Sequence, residues 1–498
     1  MLSRRSFLET SSSALLTSVS LGSGMAQAQT IQPHQLRVGM RTLDVSGRAA
    51  TVFGITNAQG KQGLDIFQSD GFNVQVTNDL TKSTVIHWHG LTPPFASDGS
   101  NVSQAVIQGS GSHDYQFDLE RAGTNWMHSH HGLQEANLMA APLIVRADNE
   151  RDIDRQDVTI LLQDFSFTPP EEIFAGLRGG TIAPVGSGMA AMDMGMVRGG
   201  NASMPTMDHS QMNMTQPMAG MDHGQIDMGE MDLNDVTFDA YLANDRDLTD
   251  PEVVQVDRGA KVRLRIINAA SSTNFWVDLG TLNASLMAVD GMNVKPVFGR
   301  RFELAMAQRL DIDIQVPQSG GAFPILAQRE GDRTRTGIIL ATQGAEITRL
   351  QNEAETTVAP VLLDLERQLS ALNPLAERPV ERRFAVDLTG DMTSYVWGIN
   401  GAAFGDHTPL DMGFGERVEI VLRNQTMMSH PMHLHGHHFQ VVGLGQSRLR
   451  GAMRDTVIVP PMESVTIQFD ADNAGEWPLH CHNAYHLEAG MMTTVRVG

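Results

Sequence analysis

The sequence predicts an all-β protein built as three successive sandwiches, and three observations carry that expectation. Apolar and polar residues alternate over short runs bounded by turn residues, as in "GFNVQVTND" (71–79), "STVIHWHG" (83–90) and "SVTIQFD" (464–470). Period-two alternation puts one set of side chains on the buried face of a strand. A related segment also recurs three times, as "GFNVQVTND" from 71, "GAKVRLRIIN" from 259 and "GERVEIVLRN" from 415. Those intervals are about the length of one sandwich domain. Finally, helical periodicity is almost confined to "VLLDLERQLSAL" (361–372), where a helix is expected inside a linker.

Taken in order, the chain opens on a stretch of export type over 1–28. "SRRSFLE" carries Arg4 and Arg5, an apolar run "ALLTSVSLG" follows, and "AQA" closes at 26–28. That is the pattern of a twin-arginine signal, and it predicts a periplasmic protein. The apolar run is too short to cross a membrane. Sandwiches are expected over 33–150, 151–345 and 376–498, with a linker over 346–375. Residues 186–232 interrupt the second with a Gly-, Met-, Asp- and Ser-rich insertion that has neither strand nor helix period. The formal net charge of -21 argues against nucleic acid or an anionic membrane as partner and is compatible with a metal-ion substrate.

Four His-x-His pairs carry the chemistry: His87 and His89 in "HWHG", His128 and His130 in "HSHHG", His433 and His435 in "HLHG", His480 and His482 in "HCH". On an extended strand, residues i and i+2 share a face, so each pair can offer two imidazoles to one place. Eight imidazoles are too many for one metal and suit a cluster of about three. The pairs lie near residue 100 and beyond residue 430, so they converge only across an interface between the first and last sandwiches.

Cys481, the single cysteine of 498 residues, stands between His480 and His482 and points to the opposite face. It can therefore serve a different metal. His430, in "HPMHLH", and His486 are available to join it. Two imidazoles, a thiolate and a weak axial donor, here Met491, make a blue-copper electron-transfer site.

With "HWHG", "HSH", "HPMHLHG" and "HCHNAYHLEAGM" present in order, the chain resembles the multicopper oxidases. The resemblance implies three cupredoxin-type Greek-key β-sandwich domains and four copper ions. It implies His430, Cys481 and His486 as type 1 ligands with Met491 axial, and His87 and His433 on the type 2 copper. It implies His89, His128, His130, His435, His480 and His482 on the type 3 pair. Asp98, in "PPFASDG", matches an acid near the type 2 copper that donates protons. Asp455, in "MRDTVIV", matches an Asp near a type 1 histidine. Leu487 follows the last ligand histidine where many bacterial relatives have Glu, and Glu488 comes one later, as a candidate proton relay.

Other residues carry less. His131, His437 and His438 exceed the ligand count and are expected to be structural or to stand behind the ligands. His34, His113 and His407 need no function, and Trp88 and Trp477 are expected to pack around the site. The insertion holds twelve methionines with His209 and His223. Thioethers are soft donors suited to Cu(I), and "MDHS" and "MDHG" look like the repeats of periplasmic copper-resistance relatives, so it is expected to bind Cu(I). The expected function is that of a laccase-like enzyme in copper tolerance, coupling one-electron oxidation of a phenol or of Cu(I) to four-electron reduction of O2 to water. The alternatives are an Fe(II) or Mn(II) oxidase, for which the sequence shows no carboxylate cluster near the type 1 histidines, and a non-catalytic copper-sequestering protein.

Overall fold

Strands dominate the structure, a computed structural model that describes residues 32–179 and 233–498. The export stretch 1–28 and the Met-rich insertion 186–232 lie outside the described residues. Among the described residues the strands form three pairs of sheets. A four-stranded sheet (Arg48–Asn57, His34–Val45, Phe72–Asn78, Ser112–Phe117) faces another (Leu64–Phe67, Ala140–Arg146, Gly123–Ser129, Ile86–His89). Between them lies one apolar core containing Val38, Val74, Val76, Trp88, Met127 and Leu143. A six-stranded and a five-stranded sheet follow over Gln156–Ala341, then a seven-stranded and a five-stranded sheet over Arg382–Val497.

The threefold segment has a structural meaning beyond alternation. It forms the strands Phe72–Asn78, Lys261–Asn268 and Arg417–Asn424, each paired in parallel with the first long strand of its own sandwich. Each ends on a buried asparagine. The Oδ1 of Asn78, Asn268 and Asn424 accepts the backbone N–H two residues on, at 3.0, 3.0 and 2.9 Å. The Nδ2 of each donates to a loop carbonyl elsewhere in the sandwich, of Gln108, Thr273 and Pro460 respectively. An amide can cap its own strand and satisfy a neighbouring loop at once, which a side chain without both donor and acceptor cannot do. Each sandwich also has a second parallel pair in its other sheet. The sheets are therefore mixed, not purely antiparallel, because connections that cross between sheets return strands in the same direction.

The expected helix over 361–372 does not form; only a short 3-10 turn occurs, at Glu366–Gln368. Neighbouring acids claim its backbone. Glu303 accepts the N–H groups of Leu362 and Leu365 at 2.9 and 2.6 Å, and Glu330 accepts that of Val361 at 2.7 Å. Further along, Leu372 donates to Asn293, and Ser370 accepts from Lys295. Val361, Leu363 and Leu365 are buried, so the apolar residues are used with strand spacing. Lateral bonds to the second sandwich replace the i to i−4 bonds of a helix.

Candidate metal centres

Strand register brings the histidine pairs together. Within the first sandwich, His87 lies opposite His128 where Ile86–His89 pairs with Gly123–Ser129. Within the third, His433 lies opposite His480 where His430–Leu434 pairs with Gly475–Cys481. The two sets then meet face to face. His87 stacks on His435 with ring centroids 3.8 Å apart, and His89 stacks on His433 at 3.7 Å. The Nε2 atoms of His87 and His433 are 3.4 Å apart. Those of His130 and His435 lie 3.4 and 3.0 Å from Nε2 of His480. Two motif glycines allow this closeness. Gly90 has φ +96, and a Cβ there would fall 2.4 Å from Asn125 Oδ1 and 2.5 Å from Arg309 Nη2. Gly436 has φ +67, and its Cβ would fall 2.3 Å from the Trp477 ring.

The eight imidazoles sort themselves by their ligand nitrogens. His89, His128 and His482 form one group within 4.8 Å, and His130, His435 and His480 form another. His87 and His433 form a third with His89 as neighbour. All eight are buried. Burial, then mutual repulsion, holds His89, His128, His433, His435 and His480 well below the usual imidazole range. Burial lowers His130 to about 4 and His482 to about 3. These rings are neutral at neutral pH, so each has one bare nitrogen to offer.

In seven of the eight rings the other nitrogen has a partner behind it. His87 Nδ1–H donates to the Asp98 carbonyl at 2.9 Å, and His435 Nδ1–H to the Asp98 carboxylate at 3.0 Å. His433 Nδ1–H donates to the Asp455 carbonyl at 2.9 Å, and His89 Nε2–H to the Asp455 carboxylate at 3.1 Å. His480 uses the Cys481 carbonyl at 2.9 Å. His128 Nδ1 lies 2.8 Å from the buried Glu135 carboxylate, and His482 Nδ1 lies 3.6 Å from it. Fixed outer nitrogens leave the inner ones aimed inward. Among the described residues, His89 Nδ1, His128 Nε2 and His482 Nε2 have no hydrogen-bond partner. They belong to one group, and orphaned buried nitrogens converging on a point fit a metal ion.

The thiol lies on the other face of its strand. Cys481 Sγ is 3.7 Å from His430 Nδ1 and 3.6 Å from His486 Nδ1, and the two nitrogens are 3.2 Å apart. Burial pushes the thiol up, so a thiolate here calls for a cation beside it. Thr426 Oγ1 holds His430 Nε2 at 2.8 Å. Asp235 lies 2.9 Å from His486 Nε2 and accepts the Tyr395 hydroxyl at 2.6 Å. The indole of Trp397 covers both rings, 4.1 Å from His486 and 5.3 Å from His430. Met491 is buried, and its carbonyl accepts the Cys481 N–H at 3.1 Å, which places its backbone beside the thiol's strand.

All twelve metal-ligand candidates of the sequence therefore fall in these two buried regions. The carboxylates are redistributed. Asp98 is at the cluster as expected. Asp455 is not near His430 or His486; it contacts His89 and His433. Register explains this: His430 pairs with Val459, whereas His433 pairs with Thr456, next to Asp455. Glu488 is exposed at the end of the short helix Ala484–Glu488; no histidine contact accompanies it among the described residues. Glu135 and Asp235 were missed. Glu135 stands five residues beyond His130, in "LQEANLM", and Asp235 three residues beyond the insertion, where nothing in the sequence marks either as buried. His437 and His438 bond the His435 carbonyl and Arg121, and His131 bonds Ser83; His438 Nε2 also lies 3.9 Å from Asp455. Trp88 packs on Phe72 and Tyr115, and Trp477 on Phe95.

Comparison with known proteins agrees with this geometry. Multicopper oxidase family models match residues 377–498, 37–150 and 199–351. The chain is 29% identical over 483 residues to the multicopper oxidase MmcO of Mycobacterium tuberculosis, covering 95% of this chain and 87% of that protein. It is 26% identical to a copper resistance protein A homolog of Pseudomonas syringae pv. tomato, covering 93% of this chain and 92% of the other. Its fold is similar to the crystal structure of a multi-copper oxidase from Pseudomonas thermotolerans, with TM-score 0.66, 22% identity, and 94% and 99% of the two chains covered. Three matched segments in the order of the three sandwiches, with the imidazole pairs and the thiol in the first and last, leave one assignment: the chain belongs to the multicopper oxidase family.

Proposed function

We propose that this protein is a periplasmic, laccase-like multicopper oxidase of copper tolerance, with sandwich boundaries at 33–150, 151–345 and 376–498. Its proposed type 1 ligands are His430, Cys481 and His486 with Met491 axial. His87 and His433 would hold a type 2 copper, and His89, His128, His482 and His130, His435, His480 the two coppers of a type 3 pair. Bound copper supplies one-electron acceptance at the thiol and the reduction of O2 to water at the cluster. The observation that carries the reading is the HCH strand. Cys481 faces His430 and His486 while His480 and His482 belong to the two groups on its other face, so one residue step joins donor and acceptor.

The protein's own groups have distinct tasks. His486 is the proposed electron entry, oriented by Asp235. Asp98, fully buried against His435, is the proposed proton donor on the cluster side. Asp455 and Glu135 orient the rings. The twin-arginine pattern of 1–28 supports export, and among the described residues no helix is long and apolar enough to cross a membrane.

Asp235 does not choose between a metal ion and a phenol: its side chain is buried, with Oδ2 beside His486 Nε2 and bonded by Tyr395 and Asn483, so it orients the ring. Cu(I) and a phenol are the proposed substrates, with Fe(II) or Mn(II) as the second reading. Steady-state oxidation of Cu(I), Fe(II) and a phenol, by the full chain and by a chain lacking 186–232, tests it. Cu(I) oxidation should fall on deletion while phenol oxidation holds or rises. Phenol activity lost with Cu(I) oxidation intact would refute delivery of Cu(I) by the insertion, and Fe(II) as the fastest substrate would favour the second reading.

A further inference from the structure

The second sandwich supplies no imidazole to the cluster, yet one of its side chains reaches it. Arg309, at the start of the strand Arg309–Gln315, is fully buried. Its Nη1 and Nη2 donate to the two oxygens of Asp455 at 2.7 and 2.5 Å, and its Nε donates to the Thr124 carbonyl of the first sandwich at 3.1 Å. Its backbone N–H donates to Asp290, whose other oxygen accepts from Arg454 at 3.0 Å, and Arg454 in turn bonds Glu366 of the linker. A single guanidinium thus joins all three sandwiches.

We infer that Arg309 is a positioning residue that selects which nitrogen of His89 faces the metal. His89 differs from its seven companions in having its Nε2 turned outward, against Asp455 Oδ1 and Thr456 Oγ1. Its bare nitrogen is therefore Nδ1. An imidazole ring held at one nitrogen can turn over unless its acceptors are themselves fixed, and Thr456 Oγ1 is itself bonded to Asp455. Asp455 is fixed by the fork of Arg309, a planar bidentate match that lysine cannot reproduce. Gly90, immediately after His89, leaves the space: a Cβ there would lie 2.5 Å from Arg309 Nη2. The glycine of "HWHG" thus serves a side chain arriving from the second sandwich as well as its own turn.

The inference rests on the proposed ligand set, and the test separates the two. Arg309→Lys keeps the buried charge and loses the fork. Arg309→Met with Asp455→Asn removes both charges together, which guards against a variant that fails only because an ion is left unpaired. In copper-free protein, imidazole nitrogen NMR should show His89 as the Nε2–H tautomer in the wild type and as a mixture in Arg309→Lys. In copper-loaded protein, Arg309→Lys should keep the blue thiolate band, lose magnetic coupling of the type 3 pair in the EPR spectrum, and bind copper at the pair about 10- to 100-fold more weakly. A wild type with no coupled pair would overturn the ligand set. A variant with a lowered melting temperature but unchanged tautomer and EPR spectrum would overturn the role of Arg309 and leave it a strut between domains.

Discussion

Replacing Glu135 by Gln should move two properties of the protein in opposite directions. Its carboxylate lies 2.8 Å from His128 Nδ1 and 3.6 Å from His482 Nδ1. His128 keeps a second acceptor, the Ser129 carbonyl at 3.1 Å, whereas the carboxylate is the contact that orders His482 from behind. Loss of the carboxyl behind metal-binding histidines weakens metal affinity about 10- to 100-fold, or about 1.4 to 2.8 kcal/mol at roughly 1.4 kcal/mol per decade. The copper-free protein should respond in the other sense. Burial, and then Asp164, hold the Glu135 carboxyl well above its usual value of 4.5. A raised acid supports the fold fully only below its unfolded value and withdraws that support as pH rises toward the folded one. A neutral glutamine removes this loss. Copper-free Glu135→Gln should therefore match the wild type near pH 4.5 and exceed it at pH 8. Thermal melts of the copper-free forms at both pH values, with chelator-competed copper titration, read the two effects. A variant that binds copper as tightly as the wild type, or whose stability relative to it does not rise with pH, would refute this placement of Glu135.

Two further outcomes are expected. Cys481→Ser should abolish the blue colour and oxidase turnover while copper analysis still finds most of the cluster's metal; a variant that stays blue places the thiol elsewhere. Glu330→Gln should flatten the loss of stability between about pH 4.5 and pH 7. Burial raises this carboxyl from 4.5 to about 7 against the opposing pull of the Val361 N–H and Asn274, a shift worth about 3 kcal/mol, and pH-dependent melts that are unchanged by the substitution would show that Glu330 is not the group responsible.

Residues that act through local spacing were legible in the sequence, and those that act through long-range contact were not. The His-x-His pairs and the thiol between two of them follow from strand period alone, because i and i+2 share a face wherever the backbone is extended. The recurring strands were legible for the same reason, and their terminal asparagines stand in the quoted segments. The 361–372 stretch has helical period, but its competitors, Glu303 and Glu330, lie some 30 to 60 residues away. Asp455 was found and misplaced, since choosing between His430 and His433 needs the register of a strand pairing. Glu135, Asp235 and Arg309 are single charged residues without local pattern. What makes them functional is burial against histidines or carboxylates distant in the chain, and burial of one charge is not written in its neighbours.

The carboxylates around the cluster are also shared across the domain interface in a regular way. Asp98, from the first sandwich, holds its own His87 through its backbone carbonyl and His435 of the third through its carboxylate. Asp455, from the third, holds its own His433 through its carbonyl and His89 of the first through its carboxylate. Glu135, from the first, lies against its own His128 and against His482 of the third. Each acid therefore orients one imidazole by local geometry and a second only when the sandwiches are docked. Neither sandwich alone can hold all of its rings in order, so preorganisation of the cluster belongs to the interface. The exchange is symmetric except at His89, which meets its acid through Nε2 where His435 uses Nδ1, and that is the place where Arg309 enters from the second sandwich. A domain without ligands is thereby tied to the geometry of the metal centre, and separation of the first and third sandwiches should disorder the rings before either β-core unfolds.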